Sequence, residues 1–112
     1  MDVSVKDLDE RMRRGEGLVL LDVRQPHERA YCKIDAAGTV VDWHVPMADV
    51  PARLEEVRGL AATRPMIVYC HHGVRSRMVT DWLRAQGVAS VFNLAGGIDH
   101  WSNLVDPAVP KY

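Results

Sequence analysis

The hydrophobic positions of the chain fall into short continuous runs, which alternate with stretches where every third or fourth residue is apolar. The runs at 18–23 and 66–69 have the length and composition of strands buried on both faces, as in a parallel sheet. Shorter apolar segments at 39–42 and 90–93 predict two further strands.

Four stretches have the apolar spacing of a helix, and residues that favour helix starts or ends flank them. Pro51 predicts the start of the second helix and Gly59 its end, whereas the third begins near Ser76 and stops before Gly87. Because strands and helices alternate, we expect a parallel sheet covered on both faces. The apolar stripes include Val5, Leu8 and Met12; Val50, Leu54 and Val57; Met78, Val79, Trp82 and Leu83; the last turn carries Trp101.

Composition limits the class of protein. A chain of 112 residues is long enough for one core, so we take 1–112 as a single domain. A formal charge of −1 gives no general attraction to nucleic acid or to an anionic membrane. No apolar run approaches the ~18 residues of a membrane span, and residues 1–4 lack the features of a secretory signal. We therefore expect a cytoplasmic protein that binds neither nucleic acid nor membrane.

The chemistry is concentrated where the strand at 66–69 ends. Cys70 follows that strand directly, Gly73 lies in the turn, and a helix begins a few residues later. A cysteine placed there faces the amino end of the helix, where free N–H groups and the helix dipole favour an anion. Arg75 and Arg77 add positive charge nearby. We therefore predict that Cys70 is a reactive thiolate.

A different interpretation of Cys70 is that it is a small buried side chain at the end of a strand, as most intracellular cysteines are. Packing alone does not call for Gly73 and two arginines within the seven residues that follow. The surrounding sequence therefore favours the reactive interpretation.

Three segments together resemble the rhodanese-like sulfurtransferase family. The segment 70–76, C-H-H-G-V-R-S, resembles the C-x-x-G-x-R loop around the family's persulfide-carrying cysteine. The segment 21–28, L-D-V-R-Q-P-H-E, is similar to the family's L-D-V-R-x-x-x-E, and 94–101, L-A-G-G-I-D-H-W, to its L-x-G-G-x-x-x-W. Their order and spacing cover nearly the whole chain, which makes the combined signal strong.

The resemblance implies a three-layer α/β fold with a central parallel sheet of about five strands. It also implies an enzyme that moves sulfane sulfur from thiosulfate or a protein persulfide to a nucleophile, through a persulfide on Cys70. No cofactor is implied beyond that covalent intermediate, and a sulfur-carrier or other acceptor protein is a possible partner. Members that use mercaptopyruvate usually lack an arginine at the position of Arg75, so the resemblance favours a thiosulfate-type or protein-persulfide donor.

Roles for the neighbouring residues follow from the same loop. Cys70 is expected to be catalytic, and Asp22 and Arg24 are expected to support the loop without a chemical role. Main-chain N–H groups of the loop would stabilise negative sulfur, and the fork of Arg75 suits the oxygens of thiosulfate. The histidines either tune the charge of the loop or are bystanders. The expected substrate-binding residues are His71, His72, Gly73, Val74, Arg75 and Ser76.

Two other functions compete with this one. Related phosphatases and arsenate reductases use a C-x5-R loop, whereas Arg75 follows Cys70 after four residues and Ser76 takes the C-x5-R position, which argues against them. The second is a non-catalytic interaction or sulfur-relay module, although such domains commonly lack the cysteine.

The main departure from the family pattern is the stretch 31–37, where G-H-I-P-G-A is usual. Cys32 within it is either a packed small residue, which we favour, or a resolving thiol for Cys70. We expect no metal site, because adjacent histidines in a tight loop rarely converge on one ion.

Overall fold

The computed structural model describes residues 1–36 and 38–112, and its frame is a sheet of five parallel strands. The strands are β1 (Asp2–Val3), β2 (Val19–Asp22), β3 (Val41–His44), β4 (Met66–Tyr69) and β5 (Val91–Leu94). Their order in the sheet is β1-β5-β4-β2-β3. The expected α/β class and the parallel sheet of about five strands are thus confirmed.

Helices cover both faces of the sheet. They are α1 (Val5–Arg13), α2 (Pro26–Tyr31), α3 (Leu54–Ala61), α4 (Val74–Ala85) and α5 (Gly97–Leu104), with 3₁₀ turns at Met47–Asp49 and Pro51–Arg53. Side chains of α3 and α4 pack on one face, and those of α1 and α5 on the other. Successive side chains of a strand point to opposite faces, so the apolar run of β2 supplies both cores.

The position of β4 places the candidate chemistry. This strand lies between β2 and β5, with Tyr69 in register with Asp22 and Val68 with Asn93. Because all three strands are parallel, the residues that follow them meet at one edge of the sheet. Ligands of open α/β sheets bind beyond this carboxyl edge.

Two elements were not predicted from the sequence. Strand β1 is two residues long, too short to show any alternation. Helix α2 begins inside the segment 21–28 and continues to Tyr31. Its start is set by Pro26 in the first turn and by a capping box. In that box the Glu28 carboxylate accepts the main-chain N–H of Gln25 at 3.0 Å.

Two helix boundaries also differ from expectation. Helix α3 begins at Leu54, after the two 3₁₀ turns, and continues through Gly59, where we expected it to end. A glycine inside a helix costs only about 1 kcal/mol, which the buried side chains of Val57 and Ala61 offset. Helix α4 begins at Val74 rather than near Ser76.

The segment after α5 packs into the core and then reaches the candidate site. Val109 is 6% exposed and packs into the core between α1 and α5, and its carbonyl accepts the Ser102 hydroxyl at 2.6 Å. The segment then reaches the carboxyl edge of the sheet, where Arg24 Nη1 donates to the Tyr112 hydroxyl at 3.0 Å.

Ala37, the last residue of the stretch that departs from the family pattern, lies outside the described residues. Within the described part of the chain, no helix combines the length and hydropathy needed to cross a membrane.

A buried ion pair closes the carboxyl end of β2. Asp22 and Arg24 are both 0% exposed, and their side chains are joined by hydrogen bonds of 2.9 and 2.8 Å. Burial alone would lower the pKa of Arg24, but the hydrogen bonds with Asp22 and Tyr112 raise it above its ordinary value. Arg24 also donates to the carbonyl of Cys32 at 2.7 Å, so it fixes the path of the chain from β2 through α2.

Replacing Arg24 with methionine should lower the free energy of unfolding by about 3–5 kcal/mol, because the buried Asp22 carboxylate loses the nearer of its two described cationic partners and keeps the longer, 3.4 Å contact with Arg29. Urea denaturation measures this. The matched control is Arg13→Met, which breaks the exposed i,i+4 pair with Asp9 and should cost less than ~1 kcal/mol. Equal losses in the two variants would contradict the assignment.

Candidate active site

The turn between β4 and α4 surrounds the sulfur of Cys70 with hydrogen-bond donors. The Sγ atom accepts the main-chain N–H of Gly73 at 3.1 Å and that of Ser76 at 3.4 Å, and lies 3.4 Å from the Ser76 hydroxyl oxygen. Gly73 caps α4 with φ +97°, and a Cβ there would lie 3.1 Å from the main-chain nitrogen of Gly96. The turn therefore requires glycine at this position.

The side chain of Cys70 combines features of both sequence interpretations. It is only 1% exposed and packs with the core formed by α3 and α4, as a buried small residue would. Yet its sulfur faces two inward-pointing main-chain donors, as a reactive thiol would. Of the expected loop donors, those of Gly73 and Ser76 reach the sulfur.

Arg75 is held by an acidic partner. Its Nη1 and Nη2 atoms donate to the two carboxylate oxygens of Glu28 at 2.6 and 2.8 Å. The hydrogen bonds from Arg75 dominate the pKa of Glu28, which is lowered to about 2 although burial opposes the change. The guanidinium of Arg75, which we expected to bind the oxygens of a donor anion, is thus already paired with a carboxylate.

Arg77 is not positioned as expected. We expected it to help ionise Cys70, but its guanidinium is half exposed and pairs with Asp2. The positive charge close to the loop therefore comes from Arg75.

Asp22 and Arg24, the expected supports, lie beside the loop but act on other segments. Among the described residues, their side-chain hydrogen bonds run to each other, to main-chain groups of 24–32, to the sulfur of Cys32, to Arg29 and to Tyr112. Glu28 belongs to the same segment and holds Arg75, so support from this pair reaches the loop through Glu28.

Three aromatic rings are stacked at the rim of the loop. The ring of His71 lies between those of Tyr112 and His72, with centroid distances of 3.8 Å on both sides. Burial, followed by the neighbouring His72, lowers the pKa of His71 and favours its neutral form. The Tyr112 hydroxyl donates to Glu28 Oε2 at 2.8 Å, and thereby joins this stack to the Glu28–Arg75 pair.

His71, His72 and Asp99 are the described residues that could together bind a metal ion, since one ligand atom of each lies within 4.8 Å of the others. However, the ammonium of Lys111 is 3.5 Å from Asp99 and already neutralises its carboxylate. The arrangement does not favour an ion over this pairing.

The third segment that resembles the family, 94–101, is hydrogen-bonded to the main-chain carbonyls of the cysteine loop. Main-chain N–H groups of Ile98 and Asp99 donate to the carbonyls of Cys70 and His71 at 2.9 and 3.0 Å. A Cβ on Gly97 would lie 2.5 Å from both of those carbonyl oxygens, and its φ is +60°. The L-x-G-G pattern therefore reflects close packing against the cysteine loop.

Sequence reasoning missed three residues around the site. Glu28 was visible as the last residue of the segment 21–28, but nothing in the sequence indicated its partner Arg75. Asn93 is 3% exposed in β5, and its Oδ1 atom accepts the Ser76 hydroxyl at 2.5 Å; a polar residue within an apolar strand was the available signal. Tyr112 gave no signal.

Cys32 lies apart from the candidate site. It packs with the core on the α1 and α5 face, whereas Cys70 belongs to the core on the opposite face. Its sulfur is 3.8 Å from Arg24 Nη1. The arrangement favours the interpretation of Cys32 as a packed residue over a resolving thiol.

Comparison with known proteins identifies the class that this fold and loop define. A profile of the Rhodanese-like domain matches residues 4–104, and the chain belongs to the rhodanese-like family. It is 32% identical over 108 residues to a protein named "Sulfurtransferase" from Allochromatium vinosum, covering 96% of this chain and 94% of that protein. It is 35% identical over 97 residues to "Thiosulfate sulfurtransferase GlpE" from Actinobacillus pleuropneumoniae, covering 87% and 82%.

The fold has close counterparts among solved structures. A rhodanese-like domain protein from Staphylococcus aureus superposes with a TM-score of 0.75 at 22% identity, covering 99% of this chain and 97% of that one. Some other relatives are longer proteins, and the chain spans only 34% or 37% of their length.

Replacing Gly97 with alanine should destabilise the protein by at least about 2 kcal/mol, because the new Cβ is forced against two carbonyl oxygens in a left-handed backbone. Urea denaturation provides the measurement. Gly59→Ala is the matched control; nothing lies within 4 Å of its Cβ, and the helix should gain up to about 1 kcal/mol. A Gly97→Ala variant as stable as the parent would show that the loop and the glycine turn do not approach this closely.

The Glu28 carboxylate should make stability depend on pH in the acid range. Its pKa falls from an ordinary value of 4.5 to about 2 on folding, so its contribution is complete above 4.5 and is lost as the pH falls towards 2. That contribution is on the order of 3 kcal/mol. The Glu28→Gln variant should be less stable than the parent at neutral pH. Its free energy of unfolding should also fall less steeply between pH 4.5 and 2.

Unfolding free energies measured across this range test the expectation for Glu28. The exposed carboxylate of Glu10 provides the control, and Glu10→Gln should keep the slope of the parent. The assignment fails when Glu28→Gln retains that slope as well.

Proposed function

We propose that the chain is a rhodanese-type sulfurtransferase in which Cys70 carries a sulfur atom as a persulfide. The observation that best supports the proposal is the hydrogen bonding of the Cys70 sulfur to the N–H groups of Gly73 and Ser76, at the amino end of α4. These fixed donors favour a negatively charged sulfur without having to reorganise during a reaction. The sulfurtransferase names of the relatives support the same class.

The first half of the reaction loads the cysteine. The Cys70 thiolate attacks the outer sulfur of thiosulfate, and a bond forms between the two sulfur atoms. The sulfur–sulfur bond of thiosulfate breaks, and its electron pair leaves with sulfite. Cys70 then holds the transferred sulfur as a persulfide.

The second half returns the enzyme to its starting state. A nucleophile such as cyanide attacks the outer sulfur of the persulfide, the bond to Cys70 breaks, and the electron pair regenerates the thiolate. No net oxidation or reduction of the protein occurs. Two separate half-reactions through a covalent intermediate give ping-pong kinetics.

The surrounding residues would serve this chemistry in different ways. A guanidinium carries five N–H groups and Glu28 takes two from Arg75, which leaves three available for the oxygens of thiosulfate. The ion pair with Glu28 fixes the position of the positive charge of Arg75. In the proposal, His71, His72 and Val74 form the remaining walls of the loop that admits the donor.

The remaining parts of the proposal concern partners and compartment. A protein persulfide or sulfur carrier is a suitable alternative donor or acceptor, because the chemistry at Cys70 is the same. The two free cysteines suit the reducing cytoplasm. The near-neutral net charge supports partners other than nucleic acid or membrane lipids.

Mass spectrometry of the intact protein after exposure to thiosulfate tests the proposal. We expect a gain of one sulfur atom that maps to Cys70 and is lost, with formation of thiocyanate, when cyanide is added. Cys70→Ser should gain nothing, and the matched control Cys32→Ser should gain as much as the parent.

Absence of the added sulfur in the parent, or its location on Cys32, would overturn the assignment. The chain would then be better described as a non-catalytic rhodanese-like interaction module. Release of phosphate from an aryl phosphate would instead support the phosphatase function that the C-x4-R spacing argues against.

A further inference from the structure

A line of hydrogen bonds runs from the surface at Asp2 to the sulfur of Cys70. Ser76 Oγ lies 3.4 Å from Cys70 Sγ and 2.5 Å from Asn93 Oδ1. On the other side of the amide, Asn93 Nδ2 donates to Asp2 Oδ1 at 3.3 Å. The second oxygen of Asp2 accepts from Arg77 Nη2 at 2.5 Å. Ser76 and Asn93 are 0% and 3% exposed, so solvent does not compete for the contacts that join Cys70, Ser76 and Asn93, whereas the pair of Asp2 and Arg77 lies at the surface.

The direction of the Ser76 O–H bond determines whether the Cys70 sulfur faces a hydrogen-bond donor or an acceptor. A serine hydroxyl has one hydrogen, and an amide oxygen is an acceptor without a hydrogen to give. The contact with Asn93 Oδ1 therefore uses the Ser76 hydrogen. Towards Cys70, Ser76 presents lone pairs, which can accept from a thiol but cannot donate to a thiolate. This contact thus favours a protonated sulfur, whereas the two main-chain N–H groups favour a charged one.

The orientation of the Asn93 amide is set by Asp2. If the amide turned over, its NH₂ group would donate to Ser76 Oγ and free the hydroxyl hydrogen for Cys70. The Asn93 oxygen would then face the carboxylate of Asp2, and two acceptors would oppose each other without a hydrogen between them. The charge of Asp2 therefore maintains the orientation in which Ser76 donates away from the sulfur.

We propose that Asp2 and Asn93 are positioning residues that keep the Ser76 hydroxyl from donating to Cys70. This inference deepens the proposed function, and rests on it for the identity of Cys70 as the reacting residue. Weakening the contact between Asp2 and Asn93 gives the sulfur a third donor and increases its thiolate fraction. The reactivity of the cysteine is thereby limited by a residue at the protein surface.

The test is the substitution Asp2→Asn, which keeps the size of the side chain but can donate to an overturned Asn93 amide. The readouts are the rate of alkylation of Cys70 by iodoacetamide at neutral pH and the ultraviolet absorbance of the thiolate, both in a Cys32→Ser background. We expect alkylation to become about three- to tenfold faster, since one hydrogen bond of ordinary net strength is gained.

Two controls separate hydrogen-bond direction from simple loss of negative charge. Asp81→Asn removes an exposed carboxylate that lines the same surface cavity as Asp2, and it should leave the rate within about twofold of the parent. In a Ser76→Ala background, which has no hydroxyl to turn, Asp2→Asn should give no acceleration. An acceleration that persists without the hydroxyl, or none in the parent background, overturns the inference.

Failure of the proposed function would look different. Alkylation reports only the state of the Cys70 sulfur, whereas loading from thiosulfate reports transfer. A parent protein that gains no sulfur but shows the Ser76-dependent acceleration would refute the sulfurtransferase proposal and leave the positioning role of Asp2 and Asn93 intact.

Discussion

One carboxylate, that of Glu28, joins the parts of the molecule that form the site. Its two oxygens accept from the main chain of Gln25, from both terminal nitrogens of Arg75 and from the hydroxyl of Tyr112. It thereby connects the end of β2, the loop after β4 and the segment after α5. A buried carboxylate with so many donors is satisfied only in its ionised form. The guanidinium of Arg75 consequently has a fixed position.

The sulfur of Cys70 lies between two opposing requirements. Two main-chain N–H groups favour its charged state, while burial at 1% exposure and the orientation of Ser76 disfavour it. A recessed sulfur in such surroundings is poorly accessible to bulky oxidants. For the sulfur transfer that we propose, it suits a thin reactant, such as a small anion or the tip of an extended acceptor.

Local patterns predicted the frame of the fold well and the side-chain partners poorly. The apolar runs located β2 and β4, because buried strands leave a clear signal of length and composition. Strand β1 was missed because two residues carry no periodicity, and α3 passes through Gly59 because packing outweighs helix propensity. The loop 70–76 was found from its motif. Its partners Glu28, Asn93 and Tyr112 come from other elements, and only the folded chain shows these pairings.

The contact between Gly97 and the carbonyls of Cys70 and His71 bears on protein engineering. The loop 70–76 is shaped from the front by its own turn and from behind by two N–H groups of α5, which reach its carbonyls only because Gly97 has no side chain. A graft of the seven loop residues onto another parallel-sheet scaffold would therefore lack the hydrogen bonds from α5 that help to give the loop its shape. Such a transplant must carry the Gly96–Gly97 turn along with the cysteine.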